Sequence, residues 1–204
     1  MTTVPAPDPD ARASNWRYVV PSKPAVALLV APGAAGVETV RSGPAQDALV
    51  APDLGAWSDR SSHGPGPALA AGQMLEALCG QVAPGGWLCV GFANRWYPAG
   101  PLVRGSLGLG AARRVLARTG LTGAVTYVAL PDHRHPALLV PADRAAELDH
   151  VLHRMLLTYV PSGAPMPRLT RRLLAALRGA AARTPHRLRV RLLPGYLIVA
   201  WRPS

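Results

Sequence analysis

The sequence predicts an α/β layer fold, and three observations carry that prediction. Short apolar runs closed by Pro, Gly or Asp recur along the chain. Segments with apolar residues at helical spacing lie between them. Hydrophobic residues make up 49% of the chain but aromatics only 5%, so the core is built mainly from Ala, Leu and Val, a composition that suits helices packed on a sheet. With 204 residues the chain is long enough for one domain. We expect residues 15–204 to form it, behind a Pro-punctuated polar tail at 1–14.

The elements follow in order. Asn15 to Val20 is a short strand or an arm packing through Trp16 and Tyr18. Ala25 to Ala31 is a buried strand closed by Pro32-Gly33, and Ala48 to Ala51 a second, ended by Pro52-Asp53. Residues 58–67, rich in Ser, Gly, Pro and His, form a loop. Residues 68–82 form a helix, with Leu69, Met74, Leu75, Leu78 and Val82 at helical spacing. Pro84-Gly85-Gly86 ends it and turns into a strand over Trp87 to Phe92. A basic helix spans 110–119 and stops at Gly120, and Ala124 to Leu130 is the next strand. Helices over Ala142 to Tyr159 and Pro167 to Arg183 make 131–185 a helical insertion, or lid, over the substrate end of the sheet. Leu188 to Leu193 and Tyr196 to Trp201 complete the domain as two strands about a Pro194-Gly195 turn.

The formal charge of +11 comes almost wholly from arginine, Lys23 being the single lysine, a usage that a GC-rich genome also favours. A basic surface attracts nucleic acid, anionic membrane or acidic partners. No aromatic-interleaved basic stripe or nucleic-acid module accompanies the charge, so a basic nucleic-acid or anion-binding module is the weaker reading. Arg168, Arg171, Arg172, Arg178, Arg183, Arg187, Arg189 and Arg191 lie in a stretch with no acid. They form either a solvated face or a surface for a phosphate-bearing substrate or an acidic peptide. Cys79 and Cys89 lack metal-ligand spacing and sit among apolar residues, as buried thiols do. No signal peptide and no apolar run of membrane-spanning length is expected, which makes a cytoplasmic location the default.

Several residues carry possible chemistry. Asp53 follows a strand and Pro52, the place of a turn-capping Asp. Asp132, His133 and His135 follow the strand ending at Leu130, at the sheet edge where open α/β sheets bind ligands. They offer an acid/base pair or part of a metal site, though no third well-spaced ligand is present and no metal is expected; a Pro-bounded polar loop is the alternative.

Met74 to Pro98, MLEALCGQVAPGGWLCVGFANRWYP, resembles the helix, Pro-Gly-Gly turn and following strand of class I S-adenosylmethionine-dependent methyltransferases. Tyr196 to Pro203 resembles that family's last strand. The resemblance implies a Rossmann-like sheet in which a first strand, a Gly-rich loop and a second acid hold the cofactor. On the matching positions Gly33, Gly36 and Asn94 would hold S-adenosylmethionine, and Glu38 would replace the ribose-binding acid or be a solvated loop acid. Asp53 would be a substrate-side or catalytic group, and Arg95, Trp96 and Tyr97 would meet substrate or anchor their loop.

The match is incomplete in one place. Only Gly33 and Gly36 of the loop remain, no acid ends the first strand, and Pro32 removes a backbone donor. Ten residues separate Gly36 from Asp47, too few for the helix, strand, helix and strand the family places there. Ala48 to Ala51 then corresponds to the family's fourth strand, and the second and third are missing. Their loss exposes Ala25 to Ala31 as an edge that invites a protein partner or a second copy. The expectation is a methyltransferase-like protein with a degenerate cofactor site and no bound cofactor, acting as an accessory or repurposed subunit in bacterial biosynthesis. An active S-adenosylmethionine-dependent enzyme acting on a small molecule or peptide is the alternative.

Overall fold

A computed structural model describes residues 18–19, 28–29, 45–57, 67–97, 100, 103, 105–156, 172, 175–176, 179–180 and 182–204. Among the described residues six strands form one mixed sheet: β1 (Leu28–Leu29), β2 (Gln46–Ala51), β3 (Val82–Ala93), β4 (Thr122–Leu130), β5 (Leu138–Pro141) and β6 (Gly195–Trp201), in the spatial order β1-β2-β3-β6-β4-β5. β1, β2 and β3 run parallel. β6 is antiparallel to both β3 and β4, so β4 shares the direction of the first three, and β5 returns antiparallel along its outer side. The carboxyl ends of β2, β3 and β4 therefore gather at one end of the sheet, with the amino end of β6 among them.

Alternation along the strands divides the interior in two. Leu49, Leu88, Val90, Phe92, Tyr196 and Ile198 point to one face and are buried in the larger cluster. Four helices supply buried residues to that same cluster: α1 (Pro67–Gly80), α2 (Leu109–Arg118), α3 (Ala145–His150), continued as π-helical backbone over Val151–Leu156, and α4 (His186–Arg191). Phe92 and Tyr196 pack with ring centroids 5.7 Å apart. Burying such side chains is worth about 1.5–3 kcal/mol each. Ala48, Val50, Trp87, Cys89, Leu197 and Val199 face the other way and form a second cluster, against which Val19 packs.

The structure departs from several expectations. Leu188 to Leu193 is not a strand: His186–Arg191 is helical, with Val190 its buried residue. The insertion at 131–185 is not wholly helical, because Leu138–Pro141 extends the sheet as β5, and its helix begins at Ala145 rather than Ala142. Leu148 and Leu152 of that helix enter the main core. Near the N-terminus, Tyr18 and Val19 form a turn, and Val19 packs while Tyr18 is exposed. The tail at 1–14, Trp16, Leu173, Leu174 and Leu177 lie outside the described residues, and those described between 172 and 183 are helical.

Pro84-Gly85-Gly86 is part of β3 rather than a separate turn. Gly85 takes φ +78°, a left-handed conformation that side chains resist. It lets the strand loop out beside β2 while the Gly85 N–H still donates to the Arg202 carbonyl, and Arg202 N–H to that of Gly86. Cys79 and Cys89 are free and buried, and burial pushes the Cys79 thiol up to about 11. Among the described residues no helix is long and apolar enough to cross a membrane.

Candidate functional site

Two features occupy the carboxyl end of the sheet. The first joins the ends of β2 and β4 across β3 and β6. Asp53, two residues beyond β2, accepts the Gly55 N–H on Oδ1 at 2.9 Å, which caps the short 3-10 turn Leu54–Trp57. The same oxygen lies 3.0 Å from His133 Nε2, and Oδ2 lies 2.8 Å from Arg134 Nε. His133 is 4% exposed. Burial works to raise the Asp53 carboxyl, but the His133 hydrogen bond, the His133 and Arg134 charges and the Gly55 N–H outweigh it and hold the group below its ordinary 3.8.

The sequence thus named both partners of a pair that the fold brings together from positions eighty residues apart. The remaining members of that set do other things. Asp132 accepts the N–H groups of Arg134 and His135 at 2.7 and 2.9 Å, stitching its own loop. His135 is exposed, whereas His133 is buried. Among the described residues no group of three His, Cys, Asp or Glu side chains is placed to hold a metal ion. With three donors on two oxygens, Asp53 is suited to clamping the loops beyond β2 and β4.

The clamp has a pH signature. A folded value below 3.8 means that the unfolded chain takes up the proton first as acid is added. The pairing therefore stabilises the fold fully above that value and is lost as pH falls through the lowered one. We expect Asp53→Asn to be less stable than wild type at neutral pH, with a shallower loss of stability below pH 4. Urea unfolding followed across that acid range measures both. Equal acid slopes for the two proteins would remove Asp53 from the account.

The second feature is a groove of about 770 Å³ between the β3–α2 loop, the first turn of α2, and α4. Arg95, Trp96, Arg114, Leu188, Arg191 and Leu192 form much of its wall. Trp96, Leu188 and Leu192 are 68%, 48% and 53% exposed, so this wall is wet and apolar at once. Trp96 and Tyr97 are both exposed and do not anchor their loop in the core. Tyr196, at the floor, is fully buried, and its hydroxyl donates to the Val190 carbonyl.

Asn94 corrects an expectation. As a cofactor ligand it needs free polar atoms, yet it is fully buried at the end of β3. Its Nδ2 donates to the carbonyls of Arg191 and Leu193 at 2.6 and 2.7 Å, and its Oδ1 accepts the Trp96 N–H at 3.1 Å. The side chain ties the groove's two walls together. No protein-family model matches the chain, and no curated protein matches it. Gly33, Gly36, Glu38 and Arg171 lie outside the described residues, while Arg172 is exposed on helical backbone. Arg191 belonged to the acid-free arginine stretch that the sequence offers as an anion surface, whereas Arg114, Leu188 and Leu192 had no local signal as site residues, because separate helices bring them together.

Proposed function

We propose that the chain is a methyltransferase-like protein with a reduced cofactor half, serving as an accessory subunit in a biosynthetic pathway rather than transferring methyl groups in the family's usual way. The short connection between the first two strands carries this reading. β1 pairs directly and in parallel with β2, through Leu28 with Leu49 and Leu29 with Val50. Residues 30–45 are all that connect them. A parallel crossover takes about a dozen residues or more, so one crossover fits and two further strands with their helices do not. Deletion of the family's second and third strands leaves such a sheet.

The residues in place do not fit S-adenosylmethionine as the family binds it. The length of chain between β1 and β2 leaves no room for both a crossover and the strand that would carry the ribose-binding acid, and every polar atom of the Asn94 side chain is committed within the protein. Beyond β1 no strand follows among the described residues, and that edge offers backbone groups to a partner protein or a second copy. Calorimetric titration of the full chain with S-adenosylmethionine is expected to show no binding. Micromolar affinity overturns the proposal in favour of an active methyltransferase.

A further inference from the structure

We infer that the groove beyond β3 is a binding site for a small organic anion, an apolar body of about ring size carrying one negatively charged head. The inference does not rest on the methyltransferase-like reading, since it uses only the groove's own walls.

Volume sets the class of ligand. A concavity of about 770 Å³ lies within the range of small-molecule sites, roughly 300–1,000 Å³. It opens at the carboxyl end of the sheet, where α/β folds receive ligands. Charge sets the sign. Arg95, Arg114 and Arg191 line it and no Asp or Glu does. The ion pairs among the described residues use Asp53, Glu147 and Asp149, and none engages those three arginines. Three arginines lining one concavity with no acid among its walls favour an anion there.

The helix end adds to that field. α2 begins in the groove with Leu109 and Gly110; Gly108 gives it no side-chain cap, and its first turn holds no acid. Its positive end therefore faces the concavity without a compensating charge from its own sequence. Apolar matter sets the body. Trp96, Leu188 and Leu192 are three of the five large hydrophobic side chains exposed on the described protein, and all three belong to this groove.

Gly110 is the most telling residue. It sits in a helix, where glycine costs up to about 1 kcal/mol relative to alanine. A Cβ there would meet only Arg114 Nη1, at 3.8 Å, so no packing demands a glycine. A larger side chain would stand in the groove. The glycine keeps the space open.

The test uses 1-naphthyl phosphate and 1-naphthoate as anionic probes, with 1-naphthol as the neutral body and inorganic phosphate as the head alone. Binding to the full chain is read by calorimetry and by quenching of tryptophan fluorescence. Both anions are expected to bind at least about tenfold more tightly than either fragment, as charge-assisted contacts require. The stronger of the two identifies the head. Arg114→Gln is expected to weaken the better anion about tenfold while leaving 1-naphthol unchanged. Gly110→Leu is expected to abolish binding, and Gly110→Ala to bind normally while unfolding at higher urea. Equal affinity for 1-naphthol and the anions, or anion binding that survives Gly110→Leu in a folded protein, overturns the proposal. Failure of both anions to bind also overturns it, including where an acidic peptide binds instead.

Discussion

Gly91→Ala is expected to lower stability by about 3 kcal/mol, near the upper end of what overpacking costs. The reason lies in how β2 ends. A Cβ on Gly91 would run into the Pro52 carbonyl oxygen and come within 2.9 Å of the Pro52 carbonyl carbon, with Leu197 Cδ1 at 3.3 Å. The obstacle is backbone, so no rotamer change relieves it. β2 must separate from β3, or the Pro52-Asp53 turn must swing away. Either movement pulls Asp53 from His133 and Arg134, which hold it at 3.0 and 2.8 Å. Gly80→Ala serves as control, because a Cβ at that position meets nothing within 4 Å. Urea midpoints for the two variants should diverge, with Gly80→Ala near or above wild type. Similar midpoints would mean that Gly91 is not a point of close approach.

The same residues show what could be read from the sequence and what could not. β2, β3 and β6 were legible because each contains an apolar run buried on both sides, and β4 because it ends in one at Val128 to Leu130, so a short stretch without charge sufficed. α4 was misread for a physical reason. Leu188, Val190 and Leu192 alternate, which is the strand period, and six residues are too few for a helical period to show itself. On the helix Val190 turns into the core, while Leu188 and Leu192, four apart, stand on the groove side. β5 was missed because four residues ending in Pro141 carry little strand signal, and proline is tolerated there only because the strand lies at an edge. For the clamp, residue types and their placement after strands pointed to Asp53 and His133. Their pairing depends on the crossing of β3 and β6 between them, which no local pattern contains. The groove was half legible. Trp96 and Arg95 follow a strand and Arg191 closes an acid-free arginine stretch, so they invite attention, whereas Arg114 looks like an ordinary solvated helix charge until α2 and α4 are seen to face one space.

Asn94→Ala is expected to cost about 2–4 kcal/mol, since two partly buried carbonyls and one N–H together lose a fully buried partner. The Arg191 and Leu193 carbonyls belong to the end of α4 and the turn into β6, so the change also frees one groove wall from the other. Asn94→Asp discriminates more sharply. Its carboxylate would face those two carbonyl oxygens in a fully buried position, so burial and the opposing dipoles raise its pKa above the unfolded value. A raised carboxyl is most favourable to the fold below its unfolded pKa and loses that advantage as pH rises. The Asn94→Asp protein is therefore expected to gain stability on mild acidification, when a protonated carboxyl can donate to one of the carbonyls. Wild type, with its Asp53 clamp, gains nothing there and loses stability at still lower pH. Urea midpoints at neutral and mildly acidic pH measure the crossover. If Asn94 were instead a ligand-holding residue in a wet loop, both substitutions would leave stability within about 0.5 kcal/mol of wild type at either pH.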